Sequence, residues 1–128
     1  MELTQVKTQP DPYGPYLLSQ GIVTGGLLFV SGQAGYDETG KIVEGDFLTQ
    51  GRQAFANLKR ALENGGSSLA DVAKVTIFVT DMSRFEDVVT LRREFFTEPY
   101  PADSIVEISA LYTPEAMIEI EAIAPVKG

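Results

Sequence analysis

The chain contains no histidine and no cysteine. Without cysteine there is no disulfide framework and no thiol nucleophile. Without histidine, the commonest general base near neutral pH and the commonest metal ligand are both missing. Acid–base chemistry is left to Asp, Glu, Tyr, Ser, Thr and Lys. Carboxylates alone can hold a metal, but the Asp-rich pattern of a calcium loop does not occur. No apolar run approaches the ~20 residues that span a bilayer. The opening Met1-Glu2-Leu3-Thr4-Gln5-Val6-Lys7 lacks the basic-then-apolar order of a signal peptide. A cytoplasmic location without a membrane partner is the expectation. Positive charge is also scarce, with ten basic residues against eighteen acidic ones and a net charge of -8. Such a surface repels RNA and DNA, so no nucleic-acid partner is expected.

What is present fits a single domain over residues 1–128, with 44% apolar residues to build a core. Pro10-Asp11-Pro12-Tyr13-Gly14-Pro15-Tyr16 reads as a loop. Leu27-Leu28-Phe29-Val30-Ser31 is a short apolar run ending at Gly32 and predicts a buried strand. Asp37-Glu38-Thr39-Gly40 reads as a turn into a short strand at Lys41-Ile42-Val43. From Thr49 to Asn64 the period becomes helical, with Phe55, Leu58, Ala61 and Leu62 on one face and Gly65-Gly66 as the stop. Ala73–Val79 alternates as a strand. A second helix is expected from a cap at Asp81 or Ser83, with Phe85, Val88, Val89, Arg92, Phe95 and Phe96 on one stripe and Pro99 and Pro101 closing it.

Two further strands are expected, at 104–108 and 117–124. The order is two or three strands, helix, strand, helix, two strands, which predicts an α+β domain: a mixed β-sheet with two helices packed on one face. Phe78, Ile105 and Ile123 are assigned to the other face. An apolar face of that kind predicts a covering partner, and closed symmetry would supply it as a homo-oligomer. In the last strand Ile118 and Ile120 point one way, Glu119 and Glu121 the other. The run then turns apolar on both faces, as Ala122, Ile123 and Ala124. A carboxylate carried inward there needs a partner or a function.

Several segments resemble the YjgF/RidA (Rid) family. They are Gly14-Pro15-Tyr16; Ser31-Gly32-Gln33; Gly45-Asp46 with Gln53, Ala54, Asn57, Leu58 and Leu62; Asp71–Met82; Pro101–Ile108; and Ile118–Ala124. Their order and spacing cover nearly the whole chain. The resemblance implies a chorismate-mutase-like fold, a homotrimer with clefts between subunits, a small-molecule ligand, and imine hydrolysis without a cofactor or metal.

The resemblance also implies roles for individual residues. Tyr16 would line the cleft; packing of its loop on the core is the competing reading. Ser31 would hydrogen-bond in the cleft or satisfy strand-end backbone, since no base is present to activate it. Glu119 matches the cleft glutamate, with a structural ion pair as its alternative; Glu121 reads as structural. The family's deaminase branch carries an arginine that clamps the substrate carboxylate, and Asp103 stands in its place. Val89 and Ile105 stand where asparagine and cysteine are common. Asp103 would therefore repel an imino-acid carboxylate, attract a cationic ligand, or sit in an idle cleft. Arg92 or Arg93 is the candidate replacement guanidinium, and helix geometry puts Arg92 on the buried stripe. Three functions follow: an imine or enamine deaminase of altered specificity, a non-catalytic ligand-binding or regulatory trimer, and the family's endoribonuclease or translation-inhibitor label. The acidic charge and the missing histidine oppose the third.

Overall fold

The computed structural model of the chain describes residues 2–127. Its centre is a pair of long strands, β3 (Leu27–Ala34) and β6 (Ile118–Pro125), which run antiparallel. On one side of them lie β2 (Gly21–Thr24) and then β1 (Thr4–Val6); on the other lie β4 (Lys74–Val79) and then β5 (Ala102–Glu107). All neighbours are antiparallel except β4 and β5, which are parallel. A parallel pair needs a long crossover, and the helix between these two strands provides it. The expected α+β architecture is therefore the one found.

Helix α1 (Phe47–Asn64) begins where the Asp46 carboxylate accepts a hydrogen bond from the Thr49 amide, 2.9 Å away. It ends at Gly65, and Gly66 turns the chain away in the left-handed region at φ 86°. Phe55, Leu58, Ala61 and Leu62 are buried against the sheet as the period requires. Gly51 faces helix α2 (Phe85–Phe95): a Cβ there would lie 2.4 Å from Leu91 Cδ1, so the glycine lets the helices approach.

Alternation decides the sheet faces. Val75, Ile77 and Val79 of β4, with Ile118, Ile120, Ala122 and Ala124 of β6, are buried under the helices. Lys74, Thr76 and Phe78 pair with Ile123, Glu121 and Glu119 on the opposite face. Leu27, Phe29 and Val106 are exposed there.

Four expectations are corrected. Residues 41–43 form an isolated bridge between Ile42 and Tyr36 rather than a strand. The first strands are instead β1 and β2, which were not expected: β1 is short, polar and at the sheet edge, and β2 opens on a glycine. Ile105 pairs with Ile77 and packs on the helical side, not on the open face. Asp81 caps only a single 3₁₀ turn, after which α2 buries Val88 and Leu91; Phe85 is 41% exposed and Arg92 is only half-buried.

Candidate functional site

Glu119 sits in the middle of the sheet, opposite Ala34 of β3 and Phe78 of β4, on the face without helices. Its neighbour strand is irregular at this level. Between Val30 and Gln33 the register of β3 against β6 shifts, so that the strand holds one residue more than its partner. Ser31 and Gly32 form that bulge. The Glu119 side chain lies directly over Gly32: a Cβ on Gly32 would stand 1.8 Å from Oε1 and 2.7 Å from Cδ. The glycine is required for space. Its carbonyl accepts a hydrogen bond from the Tyr13 hydroxyl, so the Pro/Gly loop is tied to the same bulge.

The electrostatics favour a proton on this carboxylate. Burial raises the Glu119 pKa, and the negative Glu121 raises it further. Among the described residues no ion pair includes Glu119. Burial likewise raises the pKa of Tyr13 and of Tyr112, and the Glu119 charge adds to both. Both phenols therefore stay protonated; the Tyr13 proton is already given to the Gly32 carbonyl, and that of Tyr112 remains to be donated.

Beneath this group is a buried polar network. The Tyr36 hydroxyl donates to Gln33 Oε1 at 2.6 Å, and Gln20 Nε2 reaches both Gln33 Oε1 and the Tyr36 hydroxyl at 3.2 Å. Gln33 Nε2 donates to the Ser31 carbonyl at 2.9 Å, and the Tyr13 ring meets Tyr36 edge-on at 5.9 Å. A fully satisfied network of this kind fixes the bulge in one geometry.

Of the expected site residues, Ser31 lies in the bulge but its hydroxyl donates to the Ser19 carbonyl at 2.6 Å. Its oxygen lone pairs remain for a ligand. Tyr16 closes a 3₁₀ turn at Gly14–Tyr16 and is 78% exposed. It is not packed on the core.

The remaining four gather elsewhere. Arg92 Nε donates to Asp103 Oδ2 at 2.9 Å and Nη2 to Oδ1 at 3.0 Å, a two-bond fork with 24% and 17% of the two side chains exposed. The Arg92 guanidinium also lies 5.8 Å from the centre of the Phe85 ring. Phe85, Val89 and Arg92 are spaced i, i+4, i+7 and share one face of α2. Asp103 and Ile105, two apart on β5, share the helical face of the sheet. Asp103 is thus neither a free repelling charge nor a free cation trap. It is neutralised by Arg92.

One chain therefore holds two groups on opposite faces of the sheet, Glu119 with Ser31 on one and Asp103, Arg92, Val89 and Ile105 on the other. Tyr13, Tyr112 and Gly32 were missed as site residues. Tyr13 lies three positions before Tyr16 in the same loop, a signal that was available. Tyr112 is brought within the influence of the Glu119 charge only by the fold. Among the described residues, no cluster of three or more carboxylates is placed to hold a metal ion.

A six-stranded mixed sheet backed by two helices is a fold shared with known proteins. The family model described as Endoribonuclease L-PSP matches residues 6–126. A RutC family protein of Pyrococcus horikoshii is 44% identical over 124 residues, 96% of each chain. A protein of Salmonella typhimurium named 2-iminobutanoate/2-iminopropanoate deaminase is 40% identical over 119 residues, 90% of each. The crystal structure of a protein from Thermotoga maritima, described as a putative endoribonuclease, superposes with a TM-score of 0.91 at 40% identity over the whole of both chains. The chain belongs to the YjgF/RidA family, with its chorismate-mutase-like fold.

Proposed function

We propose that this protein binds and hydrolyses a small imine or enamine, in clefts completed by a second copy of the chain within a homotrimer. The observation that carries the reading is Glu119: a half-buried carboxylate without an ion-pair partner among the described residues, its pKa raised by burial. Such a group can take a proton from water at a pH where an ordinary carboxylate is a weaker base. In the proposed step a water oxygen bonds to the C=N carbon while Glu119 accepts one water proton. The C=N electron pair moves to nitrogen, which takes that proton from Glu119. The new hydroxyl then passes its proton through Glu119 to the same nitrogen as the C–N bond breaks, which releases ammonia and leaves a carbonyl compound. Tyr16 and the lone pairs of Ser31 would hold substrate or water. The imine carbon is already electrophilic, so the step calls on no cofactor.

Two features support completion by a second copy. The open sheet face exposes Leu27, Phe29 and Val106, more apolar surface than a lone strand residue would explain. The candidate residues also divide between the two faces of one sheet. Sedimentation should give a mass three times the 13.9 kDa of the chain.

The test is ammonia release from imines generated in solution, from both amines and amino acids. Acceleration over buffer that is lost in Glu119→Gln is expected. No acceleration across a wide panel would sink the proposal. A second reading, a binding or regulatory protein without turnover, is favoured by the Arg92–Asp103 fork, which leaves no free clamp for a carboxylate. Thermal stabilisation by amines, amino acids or oxo acids without hydrolysis would establish it. Cleavage of RNA is opposed by the net charge of -8.

A further inference from the structure

A guanidinium and a carboxylate meeting through two parallel hydrogen bonds is the geometry by which proteins seize acidic ligands. Here both members belong to the chain. The fork borders a groove of about 230 Å³ lined by Arg92, Phe96, Tyr100, Pro101 and Asp103. Three of those five side chains are apolar or aromatic, and the two charges cancel. Nε and Nη2 of Arg92 are engaged, which leaves Nη1 outside the fork.

A ligand carboxylate entering this groove would either meet the like charge of Asp103 at Nη1 or take the fork by displacing Asp103. Displacement would strand a carboxylate only 17% exposed without its partner, which is costly. A neutral ligand meets no such penalty. It can accept from Nη1 and lay an apolar part on Phe96 and Tyr100.

We propose that Asp103 acts as an internal carboxylate that fills the Arg92 clamp, so that the α2/β5 groove selects small polar ligands carrying no carboxylate of their own. Arg92 is the anchoring residue and Asp103 positions it. This rests on the proposed function, in which a second copy of the chain completes the cleft and brings its α2/β5 groove to Glu119, and it names the substrate class: imines derived from amines or neutral carbonyl compounds rather than from amino acids. Restoring an arginine at position 103 is a poor test, because it would face Arg92 with a like charge. Removing the internal carboxylate is the informative change.

The experiment titrates two matched probes, 2-oxobutanoate and its methyl ester, against the full chain and follows backbone amide shifts. The wild type should bind the ester and not the acid. Asp103→Ala should reverse the preference, gaining at least tenfold in affinity for the acid. Adding Arg92→Ala should abolish that gain. Asp103→Asn, which keeps the shape but drops the charge, should show the same reversal if the alanine variant folds poorly. Equal binding of both probes by the wild type, no binding of the ester, or an unchanged preference in the Asp103 variants each overturns the proposal. Because binding is read without turnover, this outcome separates from that of the hydrolysis assay.

Discussion

Gly32→Ala tests the site at its tightest point. The new Cβ would stand 1.8 Å from Glu119 Oε1, where ordinary contact begins near 3.4 Å, so the carboxylate must retreat by about 1.6 Å. No positive φ is involved, so the backbone accepts alanine. The clash is with the end of a flexible side chain on the open face. Stability should therefore change by no more than about 1 kcal/mol. Function should change far more. Misplacing a reacting group by 1 Å costs on the order of 100-fold in rate, and kcat for imine hydrolysis should fall by about that factor. A readout independent of turnover accompanies it. A carboxylate pushed off the sheet regains water, so the Glu119 pKa should drop toward the ordinary value of 4.5. Side-chain ¹³C shifts followed against pH report this directly. An alanine variant with unchanged kcat and an unchanged Glu119 titration would refute the placement of this carboxylate over Gly32.

Three other outcomes follow from the same structure. Arg92→Ala should lower stability by about 2 kcal/mol, the scale of hydrogen bonds to charged groups; with Asp103→Ala added, part of the loss should return, because no buried carboxylate is left unpaired. Denaturant melts of the double-mutant cycle measure it, and purely additive losses would contradict the fork. Glu119→Gln should raise the melting temperature at neutral pH but not in acid. The sign follows from a folded pKa raised above the unfolded one: the two carboxyl states agree below the unfolded pKa, and stability is lost as pH rises through the folded pKa. Asp46 has the opposite sign, since its cap hydrogen bonds hold its pKa down and their contribution is lost as pH falls through the depressed value.

Much of this architecture was legible in the chain. The period of α1 and the alternation of β4 and β6 reflect burial on one face, which sequence spacing records directly. The same alternation marked Glu119 and Glu121 as carboxylates on one face, and only the family resemblance singled out Glu119. The edge strands were not legible. Thr4–Val6 is three residues long with only Val6 buried, and its pairing depends on β2 rather than on its own pattern. The stripe on α2 was read too broadly, because one helix face carries both the core residues Val88 and Leu91 and, beside them, the group that reaches β5.

By itself the sequence determined the class of fold and the family, and through that resemblance it pointed to the carboxylate at position 119. It also put a negative charge at position 103. Only the tertiary structure decided what that charge means. Asp103 and Arg92 are eleven residues apart on different elements, and nothing in their spacing says that they meet. The crossover from α2 to β5 brings them together, and the pairing turns an exposed-looking acid into half of a neutral clamp. The bulge at Ser31–Gly32 is likewise a property of pairing between β3 and β6. It opens the space that Glu119 occupies, because register is set between strands and not within one.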